Sequence, residues 1–155
     1  MAKSTLIWKK GRGKLGALAP LIGTWKAEAK MPAGYGTVKC LRTFTPILKG
    51  TCIQLNARWE FEKGVYEETA LFAFHDGVIS FWSFTSDGKR SQGTMTDGRD
   101  VHPEAIAFEA KMPAGLARMI YWPGENGGFN WAVESKTKKG WNRFTEHRYL
   151  PAQTS

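Results

Sequence analysis

The chain has 155 residues, of which 42% are apolar and 13% aromatic, including seven Trp and nine Phe. That is enough apolar surface for one domain with its own core, and it excludes a wholly disordered chain. The formal charge is +8, and five basic residues (Lys3, Lys9, Lys10, Arg12 and Lys14) fall in the first 14 positions with no acid among them.

The excess charge therefore reads as a basic N-terminal arm, residues 1–14, ahead of a single domain over 15–155. Such an arm can touch anionic surfaces, so peripheral membrane contact is one expectation. No nucleic-acid motif accompanies it, and no nucleic-acid partner is expected. The apolar stretch Thr5-Leu6-Ile7-Trp8 is too short for a signal-peptide core, and no segment approaches the length of a membrane span. With only two cysteines, Cys40 and Cys52, free thiols in a reducing cytoplasm are expected.

Residues 15–22 carry apolar side chains at 15, 18, 21 and 22, with Pro20 limiting the length; the pattern predicts one or two helical turns. After Gly23 the signals are those of strands. Strand one covers 25–30 and ends in the Met31-Pro32-Ala33-Gly34 turn, and strand two covers 35–45, beginning at Tyr35. Pro46 and Gly50 bracket a turn before strand three at 51–61 and strand four at 65–74. Asp76-Gly77 and Asp87-Gly88 mark hairpins on either side of strand five, 78–85. Strand six (90–96) is polar and weak; strands seven to ten cover 105–112, 116–122, 129–135 and 141–150.

Ten strands with short connections leave no room for crossover helices, so the pairing is antiparallel. A meander this long removes its edges by closing on itself. The predicted fold is all-β, a single up-and-down barrel of about ten strands with a short N-terminal helical segment. A barrel of that size is wide enough to leave an internal cavity. The run Glu28-Ala29-Lys30-Met31-Pro32-Ala33-Gly34 recurs at 109–115, which suggests two hairpins of similar geometry.

Alternation of side chains assigns the faces. Trp25, Ala27 and Ala29 of strand one, Ile106, Phe108, Ala110 and Met112 of strand seven, and Phe129, Trp131 and Val133 of strand nine point inward. Strand two sets Arg42 on the face of Val38, Cys40 and Phe44, and strand four sets Glu68 with Tyr66, Ala70, Phe72 and Phe74. An Arg and a Glu on inward faces are costly unless paired with each other or with a ligand. Strand three offers Ile53, Leu55, Ala57 and Trp59 on one face and Gln54, Asn56 and Arg58 on the other, and alternation does not choose between them. In strand ten, Trp141, Arg143, Thr145, His147 and Tyr149 share a face. If that face is inward, a guanidinium, an imidazole and a phenol stand together, suited to an anionic head group. His75 and His102 precede turns and are expected to be exposed.

Gly23-Thr24-Trp25 opening such a barrel, with basic residues on the last strand, resembles the calycin superfamily of lipocalins and fatty-acid-binding proteins. The resemblance implies that Trp25 closes one barrel end and that Arg148 or Arg143 packs across it. Leu21-x-Gly23-x-Trp25, Leu48-x-Gly50 and a later Asp-Gly turn are similar to small bacterial proteins of unknown function related to nitrobindin. Haem-binding nitrobindins continue the opening with two further glycines, where this chain has Ala27 and Ala29. Fatty-acid-binding proteins use Arg-x-Tyr on the last strand, where this chain has His147-x-Tyr149.

The expectation is a non-catalytic module that binds a small hydrophobic or amphipathic molecule. Its walls are Tyr66, Phe72, Trp82 and Trp131, and its polar anchors are Arg42, Glu68, Arg143, His147 and Tyr149. Gly23, Trp25 and Arg148 form the structural signature. No cofactor and no metal are expected. The alternatives are a haem protein with His147 as axial ligand or a small isomerase-type enzyme using His147 as acid/base. A homodimer is left open.

Overall fold

A computed structural model describes residues 8–31 and 36–152. Lys3, the Thr5-Leu6-Ile7 stretch, the turn residues Pro32-Ala33-Gly34 and Tyr35 lie outside these. A 3₁₀ segment, Gly16–Leu21, precedes ten strands: β1 (Gly23–Lys30), β2 (Thr37–Ile47), β3 (Cys52–Phe61), β4 (Gly64–His75), β5 (Val78–Thr85), β6 (Arg90–Thr96), β7 (Ile106–Met112), β8 (Gly115–Pro123), β9 (Phe129–Thr137) and β10 (Gly140–Pro151). Each pairs antiparallel with its sequence neighbours, and β1 closes on β10. The fold is thus the all-β, closed up-and-down barrel that the spacing of turns predicts.

Pro46 does not end β2. It sits inside the strand opposite Ile53, beyond Phe44, the last β2 residue that β1 pairs. On that side β2 is an edge, so the missing N–H of proline removes no ladder bond. The chain turns two residues later, through Leu48, Lys49 and Gly50, all at positive φ. The Asp76-Gly77 hairpin has φ of 51° and 81°, the left-handed pair that matches strand twist.

The end of the barrel where β1 begins is solid. Leu18 and Leu21 of the 3₁₀ segment are buried and plug the bore. The Trp25 indole N–H donates to the Leu21 carbonyl at 2.8 Å, and its ring meets Phe129 edge-on at 4.8 Å. Phe129 therefore holds the place that the resemblance gave to a basic residue. Arg148 is exposed, 3.9 Å from Glu125, and Arg143 lies on the outer wall. Residues of the basic arm reach this end too: the Trp8 N–H donates to the Glu104 carbonyl at 3.1 Å, and the Lys14 ammonium sits 5.2 Å over the Phe74 ring. Phe74, expected inside with Tyr66, is exposed at the end of β4. His102, expected to be exposed, is half-buried, with Nδ1 accepting from the Glu104 amide at 3.0 Å.

In β3 the apolar set faces inward, with Ile53, Leu55 and Ala57 buried. Cys40 faces Trp59 and Cys52 faces Ile47 across the β2–β3 ladder, so the thiols stand seven places out of register, far beyond disulfide reach; both are free.

The barrel wall is not zipped evenly. β1 pairs β10 only at Trp25↔Pro151 and Lys26↔Leu150. On the far side β6 pairs β7 only at Thr94↔Glu109, Met95↔Phe108 and Thr96↔Ala107. Both short seams lie at the solid end, so the wall is slit on two sides toward the other end.

Strand β10 does not keep one alternation. Arg143 pairs Glu134 and Thr145 pairs Val133, with a register shift between them. Phe144 is the extra residue of a β-bulge. The bulge reverses the faces. Trp141 and Arg143 point outward, where the Arg118 guanidinium stacks 4.4 Å over Trp141 and Arg143 Nε donates to Glu134 at 2.9 Å. Thr145, His147 and Tyr149 point inward. The five residues expected on one face are divided by a single insertion.

Candidate ligand-binding site

Opposite the solid end the bore is hollow. The cavity has a volume of about 520 Å³, within the roughly 300–1,000 Å³ usual for small-molecule sites. The hollow follows from side-chain size. A layer of Phe44, Phe72, Phe81, Phe108, Tyr121 and Phe129 fills the bore, with Phe72 and Phe108 at 5.1 Å and Phe44 and Tyr121 at 5.8 Å. Above it, inward positions hold Ala27, Cys40, Ala57, Ala110 and Ala117, which are too short to meet across a ten-stranded bore.

Arg42 forms the floor. It is fully buried, and its guanidinium lies 4.8 Å over the Trp131 ring. Its Nη2 and Nε donate to the Tyr121 hydroxyl at 3.0 and 3.3 Å, and Nη2 is 3.8 Å from the Glu68 carboxylate. Glu68 in turn accepts from the Ser83 hydroxyl. Burial opposes the charge on Arg42, but the Tyr121 and Tyr149 phenols and Glu68 outweigh it and raise its pKa. It remains a guanidinium.

Among the described residues, four buried polar atoms have no hydrogen-bond partner: Arg42 Nη1, Trp59 Nε1 and Trp131 Nε1 at the cavity and the Tyr149 hydroxyl behind it. The two indoles turn toward the phenols of Tyr149 and Tyr121 without reaching bonding geometry. Every one of the four can donate. An unpaired buried donor costs about 1–3 kcal/mol, so the floor is chemically unsatisfied and acceptor-seeking.

His147 lines the cavity, with Nδ1 3.7 Å from Cys40 Sγ. Burial and the Arg42 charge hold its pKa below the ordinary histidine range, so the imidazole is neutral at pH 7. Burial pushes the Cys40 thiol up. The contact joins a protonated thiol to a neutral ring, not the thiolate–imidazolium pair of an activated nucleophile.

Of the residues expected at the site, Arg42, Tyr66, Glu68, Trp131 and His147 line the cavity. Tyr149 is buried behind them, stacked on Phe129 at 5.2 Å. Phe72 is inward but belongs to the filled layer beneath the floor. Trp82 and Arg143 are not on the cavity. Trp82 faces outward, edge-on to His75 at 5.8 Å, because β5 buries Ile79, Phe81 and Ser83 on its inner side. Arg143 is turned out by the bulge into a cluster with Arg118, Glu134 and Glu146. Sequence reasoning placed Phe108 inward without naming it as cavity wall, and missed Phe81 and Met119. Phe81 lies in a run with apolar residues on both faces, where alternation is silent. Trp59 stacks on Tyr66 at 5.1 Å and completes the aromatic wall.

No protein-family model matches the chain, and no curated protein matches it. Among the described residues no group of three His, Cys, Asp or Glu side chains converges on a metal-sized site, and no helix is long and apolar enough to cross a membrane.

Proposed function

We propose that this barrel is a binding module that encloses a small amphipathic molecule, with a hydrogen-bond-accepting head at the floor and an apolar body between the aromatic walls. The observation that carries the reading is the set of three unpaired buried donors, on Arg42, Trp59 and Trp131, that line an apolar hollow, with the Tyr149 hydroxyl unpaired behind them. A carboxylate or carbonyl head supplies the missing acceptors, and the charged guanidinium makes the strongest of those bonds. Glu68 already neutralises Arg42 in part, so a carbonyl head fits as well as an acid. Trp59, Tyr66, Trp131 and Met119 provide the apolar contact from which most of the affinity comes. A calycin-like assignment agrees with the ten-strand barrel, though Phe129 takes the place of the basic residue at Trp25.

The test is tryptophan emission during titration with octanoic, dodecanoic and hexadecanoic acids and their methyl esters, beside native mass spectrometry of freshly purified protein. Saturable quenching or a retained mass supports the reading. No response at any chain length refutes it.

Haem is the less favoured guest on one ground: the fixed charge of Arg42 stands beside His147, where an iron cation would be repelled. A Soret band formed with hemin and lost in His147→Ala would overturn this. An isomerase-type role for His147 lacks a second group: its near polar neighbour is the Cys40 thiol, which burial keeps protonated.

A further inference from the structure

We propose that the open end of the barrel docks on the surface of an anionic lipid bilayer, so that the cavity mouth faces the membrane. This inference does not depend on what the cavity holds. The β3–β4, β5–β6, β7–β8 and β9–β10 hairpins turn at this end, where β1 also ends and β2 begins, and it combines two features.

The first is apolar. Ten large hydrophobic side chains are exposed among the described residues; four of them (Phe61, Val65, Phe84 and Met112) lie on strand ends at the mouth, and a fifth, Phe144, at the β10 bulge. Phe61, Met112 and Phe144 form its rim. The bulge that turns β10 also pushes out Phe144, which is 60% exposed. The two copies of the repeated Lys-Met step place Met31 and Met112 on the same rim.

The second is charge. The hairpins carry Lys63, Lys89, Arg90, Lys138 and Lys139, and the adjoining strand ends add Lys30 and Lys111, all exposed. Against these seven stand Glu60, Glu62 and Asp87, of which Glu60 is engaged by Arg58 and Asp87 by Thr85 and Lys89. The solid end carries Lys9, Lys10, Arg12, Lys14, Lys49, Arg99 and Arg148 against Asp76, Asp97, Asp100, Glu104 and Glu125 among the described residues, with Asp97 and Asp100 engaged by Arg99 and Arg118, but the 3₁₀ plug closes it and it offers no hollow.

Aromatic and thioether groups at hairpin tips within a ring of lysines match the interfacial region of an anionic membrane. The apolar tips enter the headgroup layer while the ammonium groups stay with the phosphates. Nucleic acid fits less well. The exposed aromatics lie on separate strands instead of forming a stacking row, and an apolar hollow opens between them.

The experiment is co-sedimentation of the full chain with phosphatidylcholine vesicles and with equimolar phosphatidylcholine–phosphatidylglycerol vesicles. Binding to the mixed vesicles alone, weakened by salt, is expected. Each basic group near the surface contributes about fivefold in partitioning, so the pair Lys138→Glu and Lys139→Glu weakens it by more than about 30-fold. Phe144→Ser weakens it about tenfold. The pair Lys9→Glu and Lys10→Glu, on the opposite end, leaves it within about twofold. Circular dichroism and melting curves establish that each variant is folded. The proposal is overturned by absence of binding, by equal binding to neutral vesicles, by a loss that follows the arm pair instead of the rim, or by tight binding of a single-stranded oligonucleotide that the rim variants abolish.

Discussion

Replacing Arg42 by Met keeps volume and apolar packing while removing the one fixed charge at the cavity floor. The change deletes two bonds to the Tyr121 hydroxyl, at 3.0 and 3.3 Å, and the 3.8 Å ion pair with Glu68. Breaking a buried pair costs about 3–5 kcal/mol when the partner is left sealed in. Here the Glu68 side chain is 19% exposed and keeps its Ser83 bond. The variant also sheds an unsatisfied Nη1, worth about 1–3 kcal/mol. The net loss of stability is therefore small, about 1–2 kcal/mol, or roughly 2–8 °C in melting temperature for a chain of this size. Binding behaves differently. A hydrogen bond from a charged donor contributes about 1.5–3 kcal/mol, so the variant binds a fatty acid roughly 10- to 150-fold more weakly. The methyl ester, a weaker acceptor, loses less. Calorimetric titration of both ligands into both proteins measures this, with melting curves as the folding control. A folded Arg42→Met protein that binds the acid as tightly as the parent refutes the acceptor-seeking floor.

Trp25→Ala removes the indole bond to Leu21 and the edge contact with Phe129, and costs about 3–5 kcal/mol in urea unfolding; a loss below about 1 kcal/mol would show that the solid end does not depend on it. Deleting Phe144 removes the extra residue and sets Thr145 directly after Arg143, in register with Val133 and Glu134, so Arg143 stays outward, His147 stays inward and the variant keeps the parent near-ultraviolet spectrum. Deleting Glu146 instead turns His147 and Tyr149 outward and abolishes folding, and a Phe144 deletion that unfolds refutes the bulge. His147 makes stability depend on pH. Its folded pKa lies below the unfolded value of about 6.5, so as pH falls through that value the unfolded chain takes up a proton that the folded chain refuses. Stability therefore declines from about pH 7 toward pH 5, and His147→Gln flattens the slope; equal slopes in the two proteins contradict the buried neutral imidazole.

The barrel was legible because its punctuation is local. Asp-Gly and Lys-Gly pairs fall between alternating runs, and a left-handed turn residue needs no tertiary context. Faces were legible where one side of a strand is wet, as in β1. They failed where that asymmetry is lost. Strand β5 carries Ile79, Phe81 and Ser83 inward, yet Ser80 is buried and Trp82 half-buried on the other side, so alternation cannot say which aromatic reaches the cavity. Strand β10 defeats alternation by another route, since an inserted residue shifts the phase without altering composition. Pro46 misled because an edge position cannot be recognised before strand order is known. Arg42 and Glu68 were found by the cost of placing charge on an apolar face, but the unpaired indole and phenol donors beside them exist only in three dimensions.

A core selected for stability alone has no reason to look like this one. Six aromatic rings already close the bore at one end, and the next layer could be closed by leucines at the positions of Ala57, Ala110 and Ala117. Instead small residues hold a hollow open over a buried guanidinium, and four donors go without partners. Substituting apolar groups for a buried ion pair is commonly neutral or stabilising, so Arg42 and Glu68 are not explained by what they add to the fold. Their cost is localised at the cavity floor, while the 3₁₀ plug and the two seams that close the wall, β1–β10 and β6–β7, lie at the other end. That separation lets the open half carry unsatisfied groups without loosening the half that holds the barrel together. A guest that supplies acceptors to those donors binds the folded state alone and returns the cost as affinity, stabilising the barrel in proportion to its saturation.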